Sequence, residues 1–305
     1  MKKNIISLIG STPTVRLEKI EKHFGMKCRL FAKLEGYNPS GSAKDRAALW
    51  IIKDAVERGF VKEGSTVVEA TSGNMGVSLS MLTSFFGYRA AIFMPEGMSD
   101  ERLGLIKAYG GEVILTPPEE GMSGATKMAK SYASQMKKGY FSSQFTNKQS
   151  IFAHYQTTGP EVFADVGGKV DIFVCGVGTG GSLMGVGSYL KRKRPDTRVI
   201  AVEPAESAIL SGGVAASHGI LGIGAGFLPP LVDLNLIDRV VSLSTDEAIA
   251  GSHALARIEG IFAGFSSGAV LSAAILLGKL EENKDKNIAI LLPDRGDRYL
   301  SILSQ

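Results

Sequence analysis

The chain has 305 residues, of which 44% are hydrophobic and 21% charged, and its formal net charge is only +4. This composition is typical of a globular protein large enough for two domains, and the small, interspersed charge argues against a nucleic-acid-binding protein. No signal peptide opens the chain and no apolar run reaches about 18 residues, so we expect a cytoplasmic protein without a membrane segment.

Strand-like and helix-like segments alternate along the chain, which predicts mostly parallel sheets covered by helices. In the first half, the predicted strands are 66–70, 90–94 and 113–116, and a helix follows each of them. After Phe145 we predict a helix over 151–166 and strands at 170–175, 199–202 and 288–292. The prediction is therefore an α/β protein of two domains, each an open, mostly parallel sheet flanked by helices. The small domain spans 35–146, and the large domain combines 1–34 with 147–305.

The basic run and the cysteines suggest no further site. The densest basic run, 191–194, closes a predicted helix, where the helix dipole favours cations, so a solvated helix end is favoured over a nucleic-acid patch. Cys28 and Cys175 are far apart, and the four histidines stand singly. No metal site is predicted, because neither residue type shows the spacing of metal ligands.

The segment 33–46, K-L-E-G-Y-N-P-S-G-S-A-K-D-R, carries Lys44 from the end of a strand through a loop to the start of a helix. Ser42 and Asp45 have the spacing of a capping box for that helix. An ammonium is poorly placed near the positive end of a helix dipole, which favours the neutral amine that carbonyl chemistry requires. Lys44 is therefore a candidate for that chemistry, and a surface lysine after a helix cap is the alternative.

The glycine-rich segment 176–182, G-V-G-T-G-G-S, follows a predicted strand and opens a helix, so its backbone N–H groups can bind a phosphate. It also fits the dinucleotide pattern G-x-G-x-x-G, and Glu203 ends the next strand, where a ribose-binding acid would stand. However, a dinucleotide-binding fold normally carries this turn on its first strand. A nucleotide, another phosphate and a plain tight turn all remain open on this segment alone.

Two further strand-to-helix turns are rich in hydrogen-bond donors. The segment 71–74, T-S-G-N, offers hydroxyls, an amide and free helix N–H groups, which together suit a carboxylate. The segment 266–268, S-S-G, is a similar turn. Either turn alone is compatible with an ordinary helix cap, but open α/β sheets bind ligands at this end of their strands.

The motifs in their order resemble the cysteine synthases, the O-acetylserine sulfhydrylases of the tryptophan-synthase-β-like class of pyridoxal phosphate enzymes. The resemblance runs nearly from end to end of the chain. Its motifs begin with I-G-S-T-P-T-V-R-L from Ile9, N-P-S-G-S-A-K-D-R around Lys44, E-A-T-S-G-N from Glu69, M-P-E-G-M-S from Met94 and K-A-Y-G-G from Lys107. They continue with T-T-G-P-E from Thr157, G-V-G-T-G-G from Gly176, V-E-P-A-E-S from Val202, G-I-G-A-G-F from Gly222, S-S-G-A from Ser266 and D-R-G-D-R-Y-L-S from Asp294.

The resemblance implies pyridoxal 5'-phosphate as cofactor and assigns the residues of its site. Lys44 would be the catalytic Schiff-base lysine, Asn74 the partner of the ring hydroxyl, and Ser266 the partner of the ring nitrogen. The phosphate would bind at Gly178, Thr179, Gly180, Gly181 and Ser182, where the family more often has Thr as the last residue. The substrate contacts would be Thr71, Ser72, Gly73, Met75 and Gln144.

The function implied is β-replacement, most simply the synthesis of cysteine from O-acetylserine and sulfide. Since a serine cannot hold the ring nitrogen protonated as a carboxylate would, loss of the β-substituent in step with the α-proton is favoured. Position 75 is Met where most cysteine synthases have Thr, and β-cyanoalanine synthases carry Met there. The ending D-R-G-D-R resembles the B-type isoform, whereas G-A-G-F followed by P-P resembles the A type.

The alternatives are therefore a cysteine-consuming β-replacement or a lyase that releases hydrogen sulfide. More remote are an NAD-dependent oxidoreductase, which leaves Lys44 without a role, and a non-catalytic binding module. The resemblance also suggests a homodimer and a serine acetyltransferase as a protein partner.

Overall fold

The fold is known from a computed structural model that describes residues 4–97 and 99–303. The strands are β1 (Thr14–Arg16), β2 (Arg29–Leu34), β3 (Thr66–Ala70), β4 (Arg89–Pro95), β5 (Glu112–Thr116), β6 (Gly139–Phe141), β7 (Ile172–Gly176), β8 (Arg198–Pro204), β9 (Arg239–Leu243) and β10 (Asn287–Leu292). The α-helices are α1 (Glu18–Phe24), α2 (Lys44–Glu57), α3 (Asn74–Phe86), α4 (Asp100–Ala108), α5 (Gly121–Gln135), α6 (Gln149–Gln156), α7 (Thr158–Asp165), α8 (Gly181–Lys193), α9 (Thr245–Ala254), α10 (Phe265–Gly278) and α11 (Leu300–Leu303).

The chain divides into two compact units. The larger unit combines 4–43 with Ile151–Asp297, and the smaller unit combines Lys44–Ser150 with 298–303. The domain boundaries predicted from the sequence differ from these units at the loop 35–43, at 147–150 and at the C-terminal segment. The loop 35–43 belongs to the larger unit because Ala43 N–H donates to Pro293 O (2.8 Å) and Ser42 pairs with Asp294, just after β10.

The larger unit is built on a six-stranded sheet in the order β1-β2-β10-β7-β8-β9. All neighbouring strands in it are parallel except β1 and β2, which pair antiparallel. Every residue of β10 is buried, as expected of a parallel strand with both faces covered. One side of this sheet packs on a core that includes Phe173, Leu183 and Val199.

The smaller unit is built on a four-stranded sheet in the order β5-β4-β3-β6, in which all neighbours are parallel. Every residue of β3 is buried, including its one acid, Glu69. The helix α5 packs alanines, among them Ala125 and Ala129, against β3 and β4. The predicted α/β class with mostly parallel sheets is confirmed in both units.

The element bounds differ from the prediction in a few places. The predicted helix 151–166 is two helices, α6 and α7, because Thr157 between them has non-helical torsions. The strands β1, β6 and β9 were not predicted. None of the helices in the described part of the chain is both long and apolar enough to span a membrane.

Candidate active site

Lys44 is the first residue of α2, in the smaller unit. The next residue, Asp45, is fully buried, and its Oδ1 accepts a hydrogen bond from Ser78 Oγ of α3 (2.6 Å). This bond fixes the first turn of α2 against α3. The lysine therefore starts from a rigid position, and its side chain is half-buried.

The turn Thr71–Asn74 connects β3 to α3, as predicted. Thr71 N–H donates to Phe93 O of the neighbouring strand (3.0 Å), and Gly73 N–H donates to Thr71 Oγ1 (3.1 Å). The Oδ1 of Asn74 accepts a hydrogen bond from the guanidinium of Arg298, which fixes the orientation of the Asn74 amide. The first residues of α3 thus present helix N–H groups and polar side chains at one end of the sheet, an arrangement suited to an anion.

Gln144 is held beside this turn by Glu69, the first residue of the motif E-A-T-S-G-N, which was not predicted to be a site residue. Glu69 Oε2 accepts from Gln144 N–H (2.9 Å) and from Ser142 Oγ (2.7 Å), while Oε1 accepts from Ala70 N–H (2.8 Å). Gln144 Nε2 in turn donates to Ala70 O (3.1 Å). These bonds tie the segment around Gln144 to the end of β3, directly before the turn.

Burial raises the pKa of Glu69 to about 7, although the hydrogen bonds from Ser142, Gln144 and Ala70 lower it. A carboxyl group inside an all-buried strand is the sequence signal that could have identified it, because acids are rarely fully buried without partners. Met75, the next predicted site residue, is buried in the first turn of α3.

The glycine-rich loop lies in the larger unit, between β7 and α8. A Cβ on Gly178 would lie 2.5 Å from Gly222 O, and a Cβ on Gly180, where φ is +89°, would lie 2.6 Å from Val232 Cγ2. Only glycine therefore fits these two positions. Within the described part of the chain, nothing accepts a hydrogen bond from the N–H groups of Gly178, Thr179 or Gly180. The loop therefore offers backbone donors to an anion such as a phosphate.

Ser182, in the first turn of α8, is bonded to a histidine that the sequence analysis did not single out. Ser182 Oγ lies 3.0 Å from His154 Nε2, and His154 Nδ1 lies 2.8 Å from Thr158 Oγ1. Because His154 is buried, this chain of bonds fixes the Ser182 hydroxyl. No sequence pattern links these three residues, because His154 and Thr158 lie on other helices.

Ser266 lies in the first turn of α10, also in the larger unit, and is buried. Its hydroxyl makes no hydrogen bond to any of the described residues. A Cβ built on Gly222, the residue against Gly178, would lie 3.8 Å from Ser266 Oγ. Gly222 therefore lies close to both Ser266 and Gly178 of the glycine-rich loop.

Glu203, the candidate ribose-binding acid, has another role. Its carboxylate accepts from Leu210 N–H (2.7 Å), Ser211 N–H (3.1 Å), Ser211 Oγ (2.6 Å) and Ser242 Oγ (3.2 Å). These four bonds tie the carboxylate to the loop after β8 and, through Ser242, to the neighbouring strand β9. The geometry therefore gives no support to a dinucleotide at the glycine-rich loop.

The predicted site residues fall into two groups. The smaller unit holds Lys44, Thr71, Ser72, Gly73, Asn74, Met75 and Gln144, and the larger unit holds Gly178, Thr179, Gly180, Gly181, Ser182 and Ser266. In each unit these residues follow the carboxyl ends of parallel strands or begin the helix that comes next.

Comparisons with known proteins agree with these motifs. Residues 5–294 match the family described as pyridoxal-phosphate dependent enzyme. A cysteine synthase of Staphylococcus aureus (strain Mu50 / ATCC 700699) is 44% identical over 300 residues, covering 98% of this chain and 95% of its own. The crystal structure of a cysteine synthase from Entamoeba histolytica matches with a TM-score of 0.95 at 39% identity, over 99% of this chain and 90% of that one. A hydrogen sulfide-producing enzyme from Fusobacterium nucleatum matches with a TM-score of 0.94 at 38% identity, over 98% of this chain and 100% of that one.

Proposed function

Because the chain belongs to the cysteine synthase family of pyridoxal-phosphate dependent enzymes, we propose that it makes cysteine from O-acetylserine and sulfide by β-replacement. The observation that carries this proposal is the 44% identity to a cysteine synthase over 98% of the chain. The protein is a pyridoxal phosphate-dependent enzyme, and the residues proposed for each task are argued below.

The glycine-rich loop fits the phosphate of the cofactor. Its N–H groups at Gly178, Thr179 and Gly180 are donors without acceptors in the described chain, and close packing against Gly222 and Val232 holds the loop in this conformation. Ser182, oriented by His154, adds a hydroxyl. We assign the phosphate to Gly178–Ser182, with Gly181 at the start of α8, where the helix dipole favours an anion.

Ser266 fits the ring nitrogen because the residue is buried and its hydroxyl has no partner among the described residues. A hydroxyl can donate one hydrogen bond to an unprotonated nitrogen but cannot keep it protonated. Asn74, oriented by Arg298, is assigned to the ring hydroxyl, and Lys44 to the aldehyde.

The remaining residues orient the substrate. When bound, pyridoxal phosphate withdraws electrons from the α-carbon of an amino acid and so acidifies its α-proton. Lys44 Nζ takes that proton as general base. Thr71, Ser72 and Gly73 at the start of α3, with Gln144, hold the α-carboxylate, and Glu69 keeps Gln144 in place. Met75 is assigned to the wall near the β-substituent.

The test is a visible spectrum of the purified protein, followed by additions of O-acetylserine and of cysteine. We expect a yellow protein whose band shifts with O-acetylserine, and cysteine formation when sulfide is added. Lys44→Ala should abolish turnover, whereas Lys53→Ala, an exposed lysine on the same helix, should not. A yellow protein that leaves O-acetylserine and sulfide unchanged would contradict the proposed reaction.

A second candidate is release of sulfide from cysteine, which two observations favour. One structural relative is a hydrogen sulfide-producing enzyme, and position 75 carries a thioether in place of the hydroxyl more usual in cysteine synthases. A more apolar, polarizable wall should tolerate sulfur better than an acetyl group. Met75→Thr should therefore shift the ratio of kcat/KM values from cysteine toward O-acetylserine. An unchanged ratio would assign Met75 to packing alone.

Three further proposals concern assembly and location. The apolar N-terminal segment 5–9, in which Ile5 and Leu8 are exposed, supports a homodimer. Sedimentation of a fully active monomer would contradict it. A serine acetyltransferase is proposed as a protein partner and the cytoplasm as the location, both from the family resemblance.

A further inference from the structure

Arg102, on α4 of the smaller unit, lies against the turn Thr71–Asn74. A Cβ built on Gly73 would lie 3.2 Å from Arg102 Nε, 3.3 Å from Cζ and 3.4 Å from Cδ. The side chain of Arg102 therefore runs alongside the α-carbon of Gly73, with its charged end beside the turn. Only 2% of Arg102 is exposed.

The guanidinium of Arg102 lies over an aromatic ring. Its Cζ lies 4.9 Å from the ring centroid of Tyr299, which is itself buried. This geometry is that of a cation–π contact. It holds the planar group in one position but satisfies none of its N–H donors.

Tyr299 belongs to the C-terminal motif, which the proposed reaction otherwise leaves without a role. Arg298 donates to Asn74 Oδ1, and Ser301 donates to Glu101 through its N–H (2.7 Å) and its hydroxyl (3.0 Å). The C-terminal segment thus supports the same turn at Asn74 directly and at Gly73 through Arg102.

The Nε of Arg102 is fully buried and makes no hydrogen bond in the described part of the chain. Arginine stays charged at any pH at which the protein is folded, and a buried charge without a partner is costly. The neighbouring acid, Glu101, accepts hydrogen bonds from Ser301 and feels the charge of Arg102, but no hydrogen bond joins the side chains of Glu101 and Arg102 in the described part of the chain. A buried guanidinium whose Nε has no acceptor among the described residues, beside a turn of helix N–H groups, favours an anion at that turn.

We propose that Arg102 is a positioning residue that selects amino acids with a free α-carboxylate, an inference that rests on the function proposed above. It acts on the carboxylate at Thr71–Asn74 through its charge, and on the turn itself through its contact with Gly73. Tyr299 and the C-terminal segment hold it there. Its loss should therefore weaken the binding of the carboxylate more than that of the rest of the substrate.

The test compares two ligands that cannot lose a β-substituent, L-methionine and L-methioninamide. Binding of each is measured from the shift of the cofactor's visible band in the wild type and in Arg102→Gln, Arg102→Lys and Arg58→Gln. Arg58 is the matched control, because it is an exposed arginine of the same unit over the ring of Phe60 (5.2 Å).

We expect the wild type to prefer the acid to the amide, and Arg102→Gln to reduce that preference about 10-fold, as the loss of a nearby buried charge requires. Arg102→Lys keeps the charge and should keep the preference within about 3-fold. Arg58→Gln should leave it unchanged. The ratio of two affinities in one variant is insensitive to a loss of correctly folded protein.

An Arg102→Gln variant with the wild-type preference would overturn the proposal. If that variant does not fold, Arg102→Lys decides, because a lost preference there would show that charge is not the cause. The proposed reaction can fail separately: a protein that prefers the acid but makes no cysteine from O-acetylserine and sulfide would contradict the reaction and leave the role of Arg102 intact. Cysteine formation by a wild-type protein with no preference for the acid would contradict the role of Arg102 and leave the proposed reaction intact.

Discussion

Glu69 should make the smaller unit less stable as the pH rises from acid to neutral. Burial raises the pKa of its carboxyl group from 4.5 to about 7 in the folded protein, against the effect of its three hydrogen bonds. Between these two values the folded state binds more protons than the unfolded state. The free energy of unfolding therefore falls as the pH rises through this window, and the contribution is greatest below pH 4.5 and lost above pH 7.

The size of the effect follows from the same values. The difference between the pKa of Glu69 in the unfolded protein, 4.5, and in the folded protein, about 7, corresponds to about 3 kcal/mol of unfolding free energy in total. Most of it lies between pH 5 and pH 8, where we expect about 2 to 3 kcal/mol. Glu69→Gln cannot titrate, and one of its amide N–H groups must face a donor, Ala70 N–H or Gln144 N–H. That mismatch should cost about 1 to 3 kcal/mol at any pH.

The assay is urea unfolding followed by the fluorescence of the single tryptophan, Trp50, which lies on α2 in the smaller unit. The free energy of unfolding of the wild type minus that of Glu69→Gln should fall by about 2 to 3 kcal/mol between pH 5 and pH 8. Glu63→Gln, an exposed acid of the same unit, controls for the loss of one negative charge. A wild-type advantage over Glu69→Gln that is constant with pH would refute the argument from burial.

Three other predictions concern the cofactor residues. Borohydride reduction should attach the cofactor to the peptide that contains Lys44, and labelling at another lysine would contradict the mechanism. Ser266→Ala should keep the cofactor and change the rate moderately, since the phosphate loop and the lysine still hold it; loss of the cofactor from this variant would show that Ser266 has another role. Gly178→Ala should weaken cofactor binding by roughly 10-fold or more, measured by absorbance titration, because its Cβ would meet Gly222 O at 2.5 Å. Gly104→Ala, whose added Cβ would meet no atom of the described residues within 4 Å, is the control and should bind normally.

The parts of the fold predicted correctly from the sequence are those set by local chemistry. The strands β3 and β7 are short apolar runs, and the helices α3 and α8 begin at glycine-containing turns directly after them. The end of α3 was predicted at Gly87, which takes the left-handed conformation (φ +75°) that glycine adopts without strain. These signals lie within a few residues of one another in the chain.

The elements that were missed depend on partners distant in sequence. The strand β6 has three residues and exists because it pairs with β3, about 70 positions earlier in the chain. The apolar pattern of 151–166 is continuous, but the helix breaks at Thr157, whose hydroxyl donates to Ala153 O (2.6 Å). A hydroxyl that bonds back to the preceding turn competes with the helical bonds, and neighbouring side chains decide the outcome.

The site shows the same division between local motif and distant support. The turn Thr71–Asn74 is visible in the sequence, but the buried charged groups beside it, Glu69, Arg102 and Arg298, are not. Glu69, just before the turn, accepts three hydrogen bonds and has a pKa of about 7, so near neutral pH it carries only part of a negative charge. Arg102, beside Gly73, keeps its full positive charge and has an Nε without an acceptor in the described chain. Arg102 therefore brings a positive charge to the turn, and the opposing charge of Glu69 decreases when Glu69 is protonated. This charge favours a carboxylate at the turn. It could not be predicted from the sequence, because Arg102 is brought to Gly73 only by the fold.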